Sequence, residues 1–336
     1  MDDAPDPHAV VRAFELPGRL VDCTDVVGGW SNRVLRLATS RGVYAVKQLR
    51  NAWGEPRWRE WLAEGWRLEQ AARAAGLVVP SPVPVPATGE CVALVDRRDG
   101  AGVVPVRLHE WVDGDPVPPE PVPTGIAREL GRVLATLHGL ALAPLQPELY
   151  EGEVRRTTAD VWPRLVQRAR TARAPWADAL AASEPFARRA TALLDRGAAP
   201  RVLSHGDLDQ KNLLVSGRTL VVLDWDVVVP VVPAHDLAGA ALAMASWREP
   251  HVARAVVDGY AQVTGQRVGL TPTDLGASLA ARLGWIRFTV DRFVDSAGSS
   301  GASHHDPDVP SLLDELARRV EVAENLDAWL RADGGQ

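Results

Sequence analysis

Lysine is nearly absent from this chain. Of 37 basic residues only Lys47 and Lys211 are lysine. Where arginine serves almost everywhere, a retained lysine marks a place that needs a compact point charge and not a planar fork. Cysteine is equally scarce: Cys23 and Cys91 stand far apart and form no metal-spaced pair. That argues against a disulfide framework or a cysteine metal cluster, and it fits a reducing compartment. No apolar run is long enough to span a bilayer. The opening Met1-Asp2-Asp3-Ala4-Pro5-Asp6 is acidic and unlike a secretory signal, so the cytoplasm is the expected location. Positive charge is also in deficit. A net charge of -6 argues against a primary role on nucleic acid and leaves room for cationic substrates.

What remains is an ordinary globular composition, 46% hydrophobic and 24% charged over 336 residues, enough for one large domain or two lobes. One stretch organises the rest. Ser204-His205-Gly206-Asp207-Leu208-Asp209-Gln210-Lys211-Asn212 is a polar loop. A short strand, a turn at Gly217 and a second apolar strand ending in Asp224-Trp225-Asp226 follow it. A hairpin here would fold Asp224 back beside the loop. One carboxylate, Asp207, would then be placed to take a proton. A carboxamide, Asn212, and a second carboxylate, Asp224, would hold a hard cation through oxygen. Phosphoryl transfer from a nucleotide needs those parts.

In chain order, residues 8–16 predict a short helix ended by Pro17-Gly18. Val26 to Leu37 reads as strand, glycine turn, strand. The turn Gly28-Gly29-Trp30-Ser31 could bring backbone N–H groups and a hydroxyl to a phosphate, although two glycines in a hairpin are first of all a turn. The next strand, Val43-Tyr44-Ala45-Val46, delivers Lys47. A helix over Glu60–Gly76 carries Glu60, Glu64 and Glu69, any one of which could pair with Lys47, and its tryptophans read as core. The prolines between Val78 and Pro86 impose an extended connector. Cys91–Val95 and Val103–Trp111 predict two more strands. The expected division is a nucleotide-binding lobe over 1–112 and a mainly helical lobe over 113–336. Helices are predicted near 126–138, 158–173, 183–196, 251–264, 273–296 and 309–331. His138 reads as a buried packing residue and Asp236 as a helix N-cap. His304-His305, in the glycine–serine loop after Ser296, lacks supporting metal-ligand spacing.

The series Gly28-Gly29-Trp30-Ser31-Asn32, Tyr44-Ala45-Val46-Lys47, Glu64, Glu110-Trp111-Val112, His205-Gly206-Asp207-Leu208 with Asn212, and Asp224-Trp225-Asp226 resembles the aminoglycoside phosphotransferase and choline kinase superfamily. The loop from His205 to Asn212 is its most specific part. The resemblance implies an α+β, bilobal protein-kinase-like fold, with an N-terminal antiparallel sheet plus helix and a mainly α-helical C-terminal lobe. It implies ATP and Mg2+ as cofactors. Asp207 would deprotonate the acceptor hydroxyl, and Asn212 and Asp224 would ligate magnesium. Lys47, paired with Glu64, would contact the phosphates, as would the turn carrying Gly29 and Ser31. The backbone at Glu110 and Val112 would hold adenine. His205 would brace the loop. Asp226 could touch metal or substrate, or only stabilise the loop. Asp224-Trp225-Asp226 is followed almost at once by His235-Asp236 and a helix, which leaves no room for a long activation segment and favours a small acceptor over a protein.

The expected activity is therefore ATP-dependent O-phosphorylation of a small hydroxylated molecule, an antibiotic or aminosugar being favoured. The acceptor surface is expected near 157–176 and 285–306, where Asp160, Trp285 and Asp291 combine charge for an ammonium with a flat face for a ring. The alternatives are a kinase for an amino alcohol, choline-like alcohol or homoserine, and a silent nucleotide-binding pseudokinase. The intact set Lys47, Asp207, Asn212 and Asp224 argues against the last.

Overall fold

The computed structural model describes residues 3–26, 32–50, 57–118, 122–150, 157–194, 199–296 and 308–332. The chain divides into two compact units, Met1–Val117 with Lys211–Val228, and Pro118–Gln210 with Val229–Gln336. A single cut near residue 112 was expected. Instead the segment 211–228 returns to the first unit, because its hairpin pairs with a strand there.

The first unit opens with helix α1 (Pro7–Ala13), capped by the Asp6 side chain with proline at its first position. Strands β1 (Leu20–Val26), β2 (Arg33–Thr39) and β3 (Val43–Gln48) follow. Helix α2 (Trp58–Ala74) precedes β4 (Ala93–Asp96) and β5 (Val103–Glu110). The five strands form an antiparallel sheet in the order β1-β2-β3-β5-β4. Alternation along the strands sorts the side chains. Leu35, Leu37, Tyr44, Val46, Val106 and Leu108 join Val10 of α1 and Phe14 just after it in one apolar core. Lys47 and Arg107, directly paired between β3 and β5, belong to the opposite alternation, with His109 two residues further on. The proline-rich connector runs extended beside β5, with the Val83 amide on the Leu108 carbonyl and Pro82 bridged to His109.

A second small sheet in this unit joins β6 (Asp115–Pro116), β8 (Leu213–Ser216) and β9 (Thr219–Val222). The turn between β8 and β9 rests on Gly217, whose φ of 60° suits a residue without a Cβ. Leu213 pairs with Val222, and beyond them the Leu223 amide donates to the Asn212 carbonyl at 2.9 Å. The hairpin therefore brings Asn212 and Asp224 to its same open end, as the sequence spacing suggested.

The second unit is mostly helical: α3 (Thr124–Gly139), α4 (Trp162–Thr171), α5 (Ala177–Ala182), α6 (Glu184–Ala192), α7 (Pro233–Met244), α8 (Pro250–Thr264), α9 (Gly276–Ser296), α10 (Val309–Glu324) and α11 (Leu326–Arg331). Strands β7 (Val202–Ser204) and β10 (Val229–Val231) pair antiparallel beside them. Trp162 is fully buried, its indole N–H shared between the Leu180 carbonyl and the Ser183 hydroxyl. The helix predicted over 158–173 begins only at Trp162, after a 3-10 turn at Ala159–Val161. The helix predicted over 309–331 breaks at Asn325 into two. Among the described residues, no helix is long and apolar enough to cross a membrane.

Candidate active site

In the second unit, β7 ends at Ser204 and the polar loop begins. His205 is fully buried, and its Nδ1 lies 3.4 Å from the Asp207 backbone N, which places the ring under the loop. Asp207 itself is half-buried. The strand leading to this loop is anchored by a buried polar chain. Ser204 Oγ donates to Asp236 Oδ2 at 2.5 Å, His138 Nε2 meets the same oxygen at 3.0 Å, and His138 Nδ1 meets the Tyr260 hydroxyl at 3.0 Å. Asp236 was expected as an N-cap. Val232 takes that place with Pro233 at the first helical position, and Asp236, one turn in, spends its carboxylate on β7 and α3. His138 is the packing residue its sequence context suggested.

In the first unit, the hairpin's open end carries Asn212 and Asp224, two of the residues singled out in the sequence. Asn212 is buried at the end of a 3-10 turn, Gln210–Asn212, on which Lys211 is exposed. Asp224 has φ 61°, a left-handed conformation that a short polar residue tolerates better than most and that concentrates at functional sites. Its side chain is 37% exposed and takes Lys47 Nζ at 2.6 Å. Asp226, two residues on, is only 3% exposed and takes Lys47 Nζ on its other side, also at 2.6 Å. The second oxygen of Asp226 accepts from Arg107. The other arm of the Arg107 guanidinium reaches Glu69 of α2 at 2.9 Å, and Glu69 also meets His109 Nε2 at 2.9 Å. Arg107 is 1% exposed and Glu69 fully buried.

Burial works against the charges on Lys47, Arg107 and Asp226, and mutual attraction outweighs it. The Asp226 and Asp224 carboxylates hold the Lys47 ammonium above its usual range. Asp226 and Glu69 do the same for the Arg107 guanidinium. The two cations hold the Asp226 carboxyl well below the usual carboxylate range. Helix α2 packs directly against the segment that carries the acids. A side chain at Gly65 would run into the Trp225 carbonyl oxygen, and the Trp61 indole donates to the Val228 carbonyl at 3.0 Å.

Two expectations are corrected here. The acid beside Lys47 is not Glu64: Lys47 pairs with Asp224 and Asp226, while Glu64, also buried, faces Arg67 at 2.8 Å. Asp226 is a buried ion-pair partner, and its burial does not fit contact with an acceptor. Sequence reading missed Arg107 altogether. The available signal was the run Arg107-Leu108-His109, two polar residues alternating with the apolar face of a strand that helix α2 covers.

At the end of β5, the Glu110 amide donates to the Ser81 carbonyl and the Trp111 amide to the Val43 carbonyl. By strand alternation, the Glu110 carbonyl turns, like its amide, to the edge away from β3, and Val112 lies two residues beyond the strand's end. Both lie in the first unit with Lys47. Gly29 and Ser31 lie outside the described residues.

The expected acceptor residues lie in the second unit. Asp160 is exposed and accepts from the Thr158 hydroxyl. Asp291 is engaged by Arg168 and lies 3.5 Å from Arg287, and Asp295 takes the other arm of Arg168 at 2.9 Å. Trp285 is 40% exposed and stacks on Phe288, centroids 5.4 Å apart, with the Arg292 guanidinium 5.6 Å from the Phe288 centroid. This face of α9 thus offers ring surface, while its carboxylates are largely spent on arginine.

Among the described residues, no three His, Cys, Asp or Glu side chains gather as a metal cluster. Asn212 and Asp224 offer two hard oxygen donors. That fits a cation of the magnesium type, which is bound through one or two protein oxygens and completes its shell with water and phosphate.

A sequence model of the phosphotransferase enzyme family matches residues 22–270. The chain belongs to that family. It is a small-molecule phosphotransferase acting on a hydroxyl group. No curated protein matches the chain. Among solved structures, spectinomycin phosphotransferase in complex with ADP and spectinomycin aligns with a TM-score of 0.62 at 13% identity, covering 92% of this chain and 94% of that one. Amicoumacin kinase, in complex with AMP-PNP, Ca2+ and Ami, gives 0.62 at 13% identity over 98% and 96%. Ethanolamine kinase of Plasmodium vivax gives 0.57 at 12% identity over 94% and 86%. At these identities the likeness is one of fold, and the fold is the kinase-like one expected.

Proposed function

We propose that this phosphotransferase transfers the terminal phosphoryl group of ATP, with Mg2+, to a hydroxyl of a ring-bearing small molecule such as an aminosugar antibiotic. The observation that carries the reading is the hairpin, which brings Asn212 and Asp224 to one end and sets the Lys47 ammonium against Asp224. Hard oxygen donors beside a fixed cation suit a nucleotide polyphosphate and its metal. Magnesium bound there would neutralise phosphate charge. Asn212 and Asp224 would hold it, Lys47 would contact the phosphates, and the Glu110 carbonyl and Val112 amide would hold the adenine edge. Asp207 accepts the proton of the acceptor hydroxyl, which raises its nucleophilicity as the phosphoryl group arrives. The gain comes mostly from positioning and charge, since little covalent chemistry falls to the protein.

The exposed Trp285–Phe288 stack supports a ring-bearing acceptor, which can lie on a flat apolar face. An amine on that acceptor competes with Arg168 for Asp291. The second reading, a kinase for an amino alcohol or choline-like alcohol, is supported by the same catalytic set but leaves that stack without a role. Catalytic efficiencies against matched panels of aminosugar antibiotics, other hydroxylated antibiotics, amino alcohols and choline-like alcohols separate the two. A ring-bearing acceptor preferred by wild type, with the preference lost in Trp285→Ala, supports the first reading. Equal or better turnover of the linear alcohols, unaffected by Trp285→Ala, overturns it.

A further inference from the structure

We infer that Arg107 is a positioning residue for the phosphoryl transfer: by bridging Glu69 of α2 to Asp226, it fixes the acid that holds the Lys47 ammonium in place. This rests on the reading of Lys47 as the phosphate-contacting lysine.

The geometry leaves Lys47 no direct tie to helix α2. Its carboxylate partners are Asp224 and Asp226, both on the segment after the hairpin. Asp226 is buried, so its orientation depends on what its other oxygen meets, and that is Arg107. Arg107 is oriented by Glu69, and Glu69 by His109 two residues along the same strand. Lys47 and Arg107 are also register partners on adjacent strands, so two cations rise side by side and share one carboxylate. The helix–lysine connection is therefore indirect: Glu69, Arg107, Asp226, Lys47.

Arginine suits this place as lysine would not. A planar fork donates to two carboxylates in different directions with its charge held between them, whereas an ammonium is a single point. Without Arg107, Lys47 is the one cationic partner left to Asp226 among the described residues. Both its oxygens then draw the ammonium inward, away from an incoming phosphate, and Glu69 is left buried with His109 alone. The loss falls on nucleotide binding in the ground and transition states alike, so KM for nucleotide rises while kcat holds.

The test is a double-mutant cycle on Mg·ADP affinity, measured by titration calorimetry with the full chain and no acceptor. Arg107→Met is expected to weaken binding about tenfold in the wild-type background. In the Lys47→Met background the same substitution is expected to change binding less than about twofold, because its effect passes through Lys47. An equal loss in both backgrounds, or no loss in the first, overturns the inference. If Arg107→Met fails to fold, Glu69→Gln keeps the volume and the Arg107–Asp226 pair, and the same cycle is run with a smaller expected loss. A nucleotide-free readout stands beside it. With two lysines in the chain, the Lys47 ammonium resonance is observed by NMR with Lys211 as internal reference. It is expected to move in the variant while Lys211 does not; an unmoved Lys47 signal overturns the inference. Should wild type bind no Mg·ADP, the proposed function fails, and the ammonium signal still decides whether Arg107 positions Lys47.

Discussion

Replacing Asp226 by asparagine keeps the side chain's shape and removes its charge. The carboxylate is 3% exposed and serves two cations, Lys47 at 2.6 Å and Arg107. Removing one member of a buried ion pair costs about 3–5 kcal/mol, because the partner stays buried without compensation. Here Lys47 retains Asp224 and Arg107 retains Glu69, so the expected loss at pH 7 lies near the lower end, about 3 kcal/mol. The same change at Asp224, whose side chain is 37% exposed, touches a solvent-screened pair and is expected to cost at most about 1 kcal/mol. The two differ in pH behaviour as well. The Asp226 carboxyl titrates lower in the folded chain than in the unfolded one. It therefore adds stability above the unfolded value, near pH 4, and that stability is lost as pH falls towards the folded value. The gap between wild type and Asp226→Asn should be full at pH 7 and narrow below about pH 4. Urea unfolding with chelator and without nucleotide measures both. A loss at pH 7 no larger than that of Asp224→Asn, or a gap that does not narrow in acid, would refute the claim that Asp226 is a buried structural charge.

Three other outcomes follow from the same structure. Asp224→Ala should remove the magnesium dependence of nucleotide binding; superimposable magnesium titrations of variant and wild type would exclude Asp224 as a ligand. Gly131 of α3 lies against the backbone of α8, where a Cβ would run into the Val256 carbonyl oxygen, and Gly259 meets Arg128 in the same way. Gly131→Ala should lower stability by about 1–3 kcal/mol through overpacking, despite alanine's better helix propensity. In α7, a Cβ at Gly239 has Ser278 Cβ at 3.8 Å as its nearest neighbour, so Gly239→Ala should stabilise by up to about 1 kcal/mol. Thermal unfolding shows whether the two alanines act with opposite sign.

The parts of the site that were legible in the sequence are those that follow from local spacing. Asn212 and Asp224 flank two short apolar runs and a glycine turn, and that pattern has few other solutions than a hairpin. Lys47 stood out because lysine is so rare here. Long-range choices were not legible. Three glutamates on α2 were open as partners for Lys47, and spacing could not show that Glu69 reaches it only through Arg107. Arg107 and His109 on β5 drew no reading in the sequence, and their partners, Glu69 of α2 and Asp226, come from distant parts of the chain. Asp236 looked like a cap because it follows two prolines, but Pro233 begins the helix and so moves the cap to Val232. Asp291 and Trp285 both fall on α9, within the helix predicted over 273–296. That Arg168 of another helix takes Asp291 is a tertiary fact.

The most direct test of the account is phosphoryl transfer itself, followed as ADP formed and phosphoryl gained by an acceptor under Mg-ATP, in wild type and Asp207→Asn. The account predicts a product phosphorylated on a hydroxyl, with turnover in the variant lower by about 10²–10⁴-fold while Mg-nucleotide affinity is retained. Turnover in Asp207→Asn close to that of wild type would contradict it.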